Sequence, residues 1–319
     1  MAGADITERK AEDKPGRPEE IKAVPVRHPW RWLAAAIVLL FAAAAIRAIV
    51  TDPGQKGVPN SGFQWHVVGR FLFNPGILRG MVATIYLTVL SMLIGIVLGI
   101  VAAVMRLSPN PVVKGASWLY IWFFRGTPLY VQILFWYNIA LLFPVISIGI
   151  PFGPSFVHAH ANTLVTPLAT ALLALGLNEG AYMSEIVRAG IISVDEGQTH
   201  AAQSLGLSRL QIMRRIVLPQ AMRVVIPPTG NETISMLKNT SLLVAAAYVE
   251  LLTATQNIYN ANYRVIPLLI VASIWYLLLT SILYVGQYFI ERRFGRGFTR
   301  AQAATMRERW LAFGGAGRR

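Results

Sequence analysis

Residues 81–105 form an uninterrupted apolar run with no charged side chain. As a helix it is about 38 Å long, enough to cross a ~30 Å hydrocarbon core with some tilt. A backbone in lipid must satisfy its own N–H and C=O groups, so a run of this kind dictates a helix. Comparable runs recur along the chain. Of the 319 residues 55% are hydrophobic and 14% charged, with mean hydropathy +0.50, whereas soluble domains carry about a quarter charged residues. The formal charge of +14 sits mainly at the two ends and in one internal loop, with no base-reading motif beside it, so nucleic-acid binding is excluded.

The pattern predicts an all-α integral membrane protein with six transmembrane helices. Residues 1–31, with Pro15, Pro18, Pro25 and Pro29, are expected to be a disordered cytoplasmic tail. Residues 32–50 form an N-terminal anchor flanked by Trp30, Trp32 and Arg47, retained rather than cleaved. An extracytoplasmic loop over 51–77 leads to a core at 78–290, with spans at about 81–105, 117–143, 164–188, 221–243 and 266–289 and a loop at 193–219. Residues 291–319 are a basic cytoplasmic tail. Two readings of the second core span stay open: Thr127 caps a helix starting at Pro128, or one kinked helix holds Arg125 inside it. Gly95-x-x-x-Gly99 lets another helix approach closely. With the N-terminus inside, the inner segments hold seven tail cations, Arg106, Lys114, Arg209, Arg214, Arg215 and eight C-terminal arginines. The outer segments hold Lys56, Arg70 and Arg264, so both termini are predicted to be cytoplasmic.

The loop at 193–219 is longer than a connection needs. Ser193-x-x-Glu196 has capping-box spacing and opens a helix ending near Gly206, and Ser208-x-x-Gln211 repeats the signal. Leu210, Met213, Ile216 and Val217 are predicted to share an apolar face, and Pro219 marks the start of the next span.

Four segments carry a family resemblance. His200-Ala201-Ala202, then Gly206, then Ile216-x-Leu218-Pro219 is similar to the EAA loop of bacterial ABC-importer permeases. Residues 124–132 (FRGTPLYVQ), 181–191 (AYMSEIVRAGI) and 230–242 (GNETISMLKNTSL) resemble the polar amino-acid branch of that family, in the expected order, within a resemblance over about 78–289. The resemblance implies a MetI-like, five-helix permease core with one extra N-terminal helix and a cytoplasmic coupling helix, in the bacterial inner membrane. It implies two copies of an ABC ATPase carrying ATP and Mg, a second permease (identical or homologous) and an extracytoplasmic amino-acid-binding protein. ATPase coupling would fall on Gly197, His200, Ala201, Ala202, Gly206, Leu207, Ser208, Ile216, Leu218 and Pro219. The chain departs from the family at His200, where a glutamate is usual, and at Asn239, where many relatives have aspartate.

Polar residues at membrane depth are costly and mark cavities or partners. Glu232 lies about 17 Å into its span, after Pro227-Pro228, which is expected to interrupt helical hydrogen bonding. Asn231, Glu232, Ser235, Lys238 and Asn239 form one polar stripe, read either as substrate path or as packing groups. Glu232 suits an α-ammonium and Lys238 a carboxylate, and Asn239 makes the site less attractive to cationic side chains. Arg125, Thr127, Gln132 and Tyr182 join the path, with Asn178 and Glu179 as weaker members; Glu185 and Arg188 read as a helix-surface ion pair. His158-x-His160 lacks further ligands, so no metal is expected. There is no cysteine and no phosphate-binding loop, so the chain is read as a non-enzyme without a cofactor of its own. An ion-driven secondary transporter using Glu232 is the alternative.

Overall fold

The computed structural model describes residues 29–51, 63–150 and 155–294. It divides into two units, residues 1–61 and 62–319. The first contributes α1 (Pro29–Thr51), an apolar helix with Trp30 and Trp32 at its start. The second runs α2 (Trp65–Phe71), α3 (Pro75–Arg106), α4 (Pro111–Gly126), α5 (Leu129–Tyr137), α6 (Ile139–Leu142), β1 (Val145–Gly149), β2 (Ser155–His160), α7 (Ala161–Leu164) and α8 (Pro167–Ile192). It continues through α9 (Glu196–Ser204), α10 (Arg209–Ile212), a π turn (Met213–Val217), α11 (Leu218–Asn239), a 3-10 segment (Thr240–Ala246), α12 (Leu251–Asn262) and α13 (Val265–Phe294). Among the described helices, α1, α3 and α13 are long and apolar enough to cross a membrane on those criteria alone.

The expectation of a purely helical chain needs one correction. Strands β1 and β2 pair antiparallel, Val145 opposite His160 and Ser147 opposite His158. The β-branched residues Val145, Ile146, Ile148 and Val157 favour extended backbone, and Ser147 and Ser155 Oγ lie 3.2 and 3.0 Å from the two ring nitrogens of His158. His158 is thus engaged within its own hairpin.

The central contact joins α3 to α8. Lipid is as apolar as leucine, so helices in a membrane associate through close packing rather than hydrophobic transfer. Gly95 and Gly99 of α3 lie against Glu179 and Met183 of α8, while Gly176 and Gly180 of α8 lie against Ile94 and Leu98 of α3. A Cβ at Gly99 would come within 2.5 Å of Met183 Cβ, and one at Gly176 within 2.6 Å of Ile94 Cγ2. The Gly95/Gly99 pair, legible in the sequence, therefore meets a second glycine pair on its neighbour. Leu87, Met92, Ile133, Leu175, Met183, Met236 and Leu243 complete this core.

A second cluster, Val68, Ile77, Leu251, Leu268 and Val271, joins α2, α3, α12 and α13. Beside it lies Glu250, fully buried. Its carboxylate accepts from Leu252 N (3.0 Å), Thr253 N (2.8 Å), Thr253 Oγ1 (3.1 Å), Thr84 Oγ1 (3.3 Å) and Tyr276 OH (2.7 Å). Glu250 thereby caps α12 and ties it to α3 and α13. Filling its lone pairs in this way offsets the cost of burying the carboxylate.

Two local expectations fail for identifiable reasons. Helix α11 runs unbroken through Pro227 and Pro228. Two backbone donors are lost, but the flanking turns hold the helical path. Nearby, Thr229 Oγ1 donates to Val225 O at 2.8 Å and Gln287 Nε2 to Pro227 O at 3.4 Å, neither of them a carbonyl that the prolines leave open. Asp195, not Ser193, caps α9, its side chain accepting from Gly197 N at 2.7 Å. Ser193 Oγ donates to Gly190 O at 2.8 Å, a bond that extends the preceding helix.

Candidate functional site

Helix α4 ends where Pro128 cannot supply an N–H to the carbonyl of Phe124. Two side-chain amides supply it instead. Gln132 Nε2 donates to Phe124 O (2.9 Å), and also lies 3.1 Å from Thr127 O and 2.7 Å from Thr127 Oγ1. Asn178 Nδ2 of α8 donates to Phe124 O at 2.9 Å and reaches Gln132 Oε1 at 3.3 Å. Thr127 is therefore not the cap of α5: its hydroxyl bonds back to Phe123 O at 2.8 Å, and the chain at 127–128 is extended between two helices. Both readings of this span give way to a break fastened by amides, with Arg125 on the last turn before it.

That break forms one wall of a cavity of about 540 Å³. Arg125, Thr127 and Pro128 line it from the break, Asn178, Glu179 and Tyr182 from α8, Glu232 and Asn239 from α11, and Leu242 from the 3-10 segment. The Arg125 guanidinium stands 5.1 Å from the centre of the Tyr182 ring, a cation–π contact. Glu179 is 4% exposed, and its Oε1 has no hydrogen-bond partner among the described residues. The cavity thus presents one guanidinium and two carboxylates, one of which holds an unfilled buried acceptor. Such groups can bind the carboxylate and the ammonium of a zwitterion.

The structure divides the predicted stripe. Glu232 and Asn239 line the cavity, but Asn231, Ser235 and Lys238 do not. Asn231 Oδ1 accepts from Gln287 Nε2 of α13 at 2.9 Å, Ser235 is half-buried, and Lys238 is exposed. Gln132 is buried and spent on the break. Glu185 and Arg188 pair at 3.0 Å as read from their spacing.

The loop at 193–219 is a structured platform. Gly206 has φ +76°, its N–H bonds to Gln203 O (2.9 Å) and that of Leu207 to Ala202 O (3.2 Å), a Schellman end to α9. Ser208 and Gln211 form the expected capping box. Ala202 is buried against Ile212 and Val217, with Ile191, Val194, Leu207 and Ile216 around them. His200, Ala201, Gly197 and Ser208 are exposed, as are Leu205 and Leu210, at 81% and 77%. Of the predicted face, Val217 and Ile216 pack into this cluster while Leu210 and Met213 are exposed; Ile212 takes the place of Leu210. The π turn at 213–217 adds one residue to a turn, which rotates the face by about 100°. Leu218 and Pro219 open α11.

Comparison with known proteins decides what this architecture is. The family described as binding-protein-dependent transport system inner membrane component matches residues 95–296. The chain belongs to this family. It is a permease subunit of an ABC importer and not an enzyme; in such importers the ATPase is a separate subunit. Among curated relatives, the arginine transport system permease protein ArgU of Corynebacterium glutamicum is 46% identical over 90% of this chain and 87% of its own. The histidine/lysine/arginine/ornithine transport system permease protein HisM of Escherichia coli is 35% identical over 64% of this chain and 82% of its own. A crystal structure of an amino acid ABC transporter with histidines contains a chain 31% identical, with TM-score 0.60, covering 74% of this permease and all of that chain. The MetNI methionine transporter, 15% identical with TM-score 0.54, shares the fold. The ion-driven alternative finds no support among these relatives and is set aside.

Two residues that the sequence does not single out stand out in the structure. Leu205 is exposed beside the Gly206 turn. Glu250 carries a signal in retrospect, an acid directly before the apolar start of a helix, but its partners Thr84 and Tyr276 are far away in sequence. Glu179 was underweighted, although a carboxylate in the middle of an apolar run was as strong a sign as Glu232.

Proposed function

We propose that this permease carries a polar amino acid with a cationic side chain, bound in the Arg125–Glu179–Glu232 cavity. The observation that carries the reading is the cavity's inventory, one guanidinium and two carboxylates of which Glu179 has an empty buried acceptor. Arg125 takes the substrate carboxylate, one acid the α-ammonium, and the second acid leaves room for a cation. Sequence alone weighed Asn239 against such a cargo; Glu179 adds a second carboxyl group to the cavity. ArgU and HisM, whose names specify arginine and basic amino acids, are consistent with it.

In this reading the chain crosses the bacterial inner membrane six times, through α1, α3, α4 with α5, α8, α11 and α13, with both termini cytoplasmic. Two ATPase copies bearing ATP and Mg dock beneath α9, on a surface made by exposed His200 and Ala201 with Leu205 and Leu210. A second permease, identical or homologous, completes the path, and an extracytoplasmic binding protein delivers the amino acid near the β1–β2 hairpin. Gly206 and the buried Ala202 make the platform rigid enough to transmit ATPase closure to α8 and α11.

The test is uptake by the reconstituted complex, comparing arginine with its neutral analogue citrulline. Of Glu232→Gln and Glu179→Gln, the one that removes the partner of the side-chain cation is expected to lower arginine uptake roughly ten- to hundredfold, the worth of one charge-assisted hydrogen bond, and citrulline uptake far less, while the other lowers uptake of both. Equal losses for both substrates in both variants would sink the proposal.

A further inference from the structure

A second cavity of about 730 Å³ lies away from the substrate site. Ile96, Ile100 and Val104 of α3, Val187 of α8, Val225 of α11 and Ile282 of α13 are representative of its lining, which is almost wholly apolar. At one end it adjoins a pocket of about 440 Å³ formed by Pro219, Met222, Arg223, Arg293 and Phe294, and Met222 lines both. Arg223 and Arg293 are exposed and have neither an ion pair nor a hydrogen bond among the described residues. The nearest acid on α13 is Glu291, whose Oε1 accepts from Gln287 Nε2 at 2.8 Å.

Two arginines without a partner among the described residues, at the mouth of an apolar groove, describe an amphiphile. The groove has the size of a whole small-ligand site and offers almost nothing to hydrogen-bond. A lipid phosphate satisfies both arginines while its acyl chain fills the apolar groove, and basic pockets between membrane helices recognise head groups in this way. We infer that this composite site binds one anionic glycerophospholipid, its phosphate between Arg223 and Arg293 and one acyl chain in the groove. The lipid wedges α3, α11 and α13 together at the end of the molecule that carries the α9 platform. It is a structural ligand at a site distinct from the cavity of Arg125 and Glu232.

The full-length chain, purified with its ATPase partner in mild detergent, is extracted, and retained phospholipid is quantified by mass spectrometry. Wild type is expected to keep about one anionic phospholipid per chain, selected over the bulk lipid. At about 1 kcal/mol per arginine, Arg223→Gln with Arg293→Gln weakens retention about thirtyfold. Gly286→Phe fills the groove, since a Cβ there meets open space, and also expels the lipid. Arg214→Gln with Arg215→Gln removes the same charge outside both pockets and leaves retention unchanged. Equal retention by all variants overturns the inference. If the variants fold poorly, a photo-crosslinking benzoylphenylalanine at Ile282 decides it: a phospholipid adduct supports the site. An adduct with a second chain, or within the same chain, shows that protein covers the groove and overturns it.

Discussion

At the scale of single residues, the two positions with most leverage lie outside the cavity of Arg125, Glu179 and Glu232. Glu250 receives five donors from three helices, so removing it strands Tyr276 OH, Thr84 Oγ1 and two N–H groups at the start of α12. Each orphaned buried donor costs about 1–3 kcal/mol, and a lost cap about 1 kcal/mol. Glu250→Ala is therefore expected to lower the thermal midpoint of the detergent-solubilised complex by several degrees, with Glu250→Gln intermediate because an amide keeps one acceptor. No change in melting would mean that these bonds are exchanged for water at no loss. His200 is the opposite case, an exposed side chain where the resemblance to the EAA loop implies a glutamate. Glutamate at this position restores a group able to pair with a cation on the ATPase, so His200→Glu should raise ATP-dependent uptake without changing stability. A collapse of uptake would instead assign histidine a contact of its own.

At the scale of elements, what could be read in the sequence depended on where each element finds its partners. The capping box at Ser208 and the glycine stop at Gly206 were legible because cap and helix lie within four residues. Gly95 and Gly99 announced a close contact but not its target, because Gly176 and Gly180 make sense only once α3 lies on α8. The break at Pro128 was visible as a break, yet its shape was not, since Gln132 and Asn178 repair it from two different helices. Pro227-Pro228 misled because a proline pair removes two N–H groups without forcing the backbone off the helical path where the flanking turns hold. The glycine contact gives a test of this scale. Gly99→Leu and Gly176→Leu force a side chain into space already occupied by Met183 or Ile94, a strain of about 1–3 kcal/mol or more. Both should reduce the melting midpoint and the yield of assembled complex, while Gly69→Ala, which meets open space, should not. Normal assembly of the leucine variants would show that α3 and α8 separate more easily than their packing implies.

At the scale of the whole molecule, charge placement and apolar runs outlined a polytopic protein, but the helices that carry its chemistry are the least obvious crossings. Helix α8 holds Asn178, Glu179, Glu185 and Arg188 and falls short of the apolar criterion that α1, α3 and α13 meet, while its 26 residues reach about 39 Å against a ~30 Å core. Its polar groups explain the discrepancy: Asn178 serves the Pro128 break, Glu179 the cavity, and Glu185 neutralises Arg188, so their cost is offset inside the protein rather than met by lipid. If α8 crosses, the β1–β2 hairpin and the α9 platform lie on opposite faces, and the substrate and ATPase sites meet through this one helix. The chain has no cysteine, so single thiols report each face cleanly. Phe156→Cys on β2, where the native side chain is 69% exposed, should react with an impermeant maleimide on intact spheroplasts. Gln198→Cys on α9, also exposed, should react only after permeabilisation. Labelling of both thiols from the same side would remove α8 from the crossings and, with it, the mechanical link between the platform and Glu179.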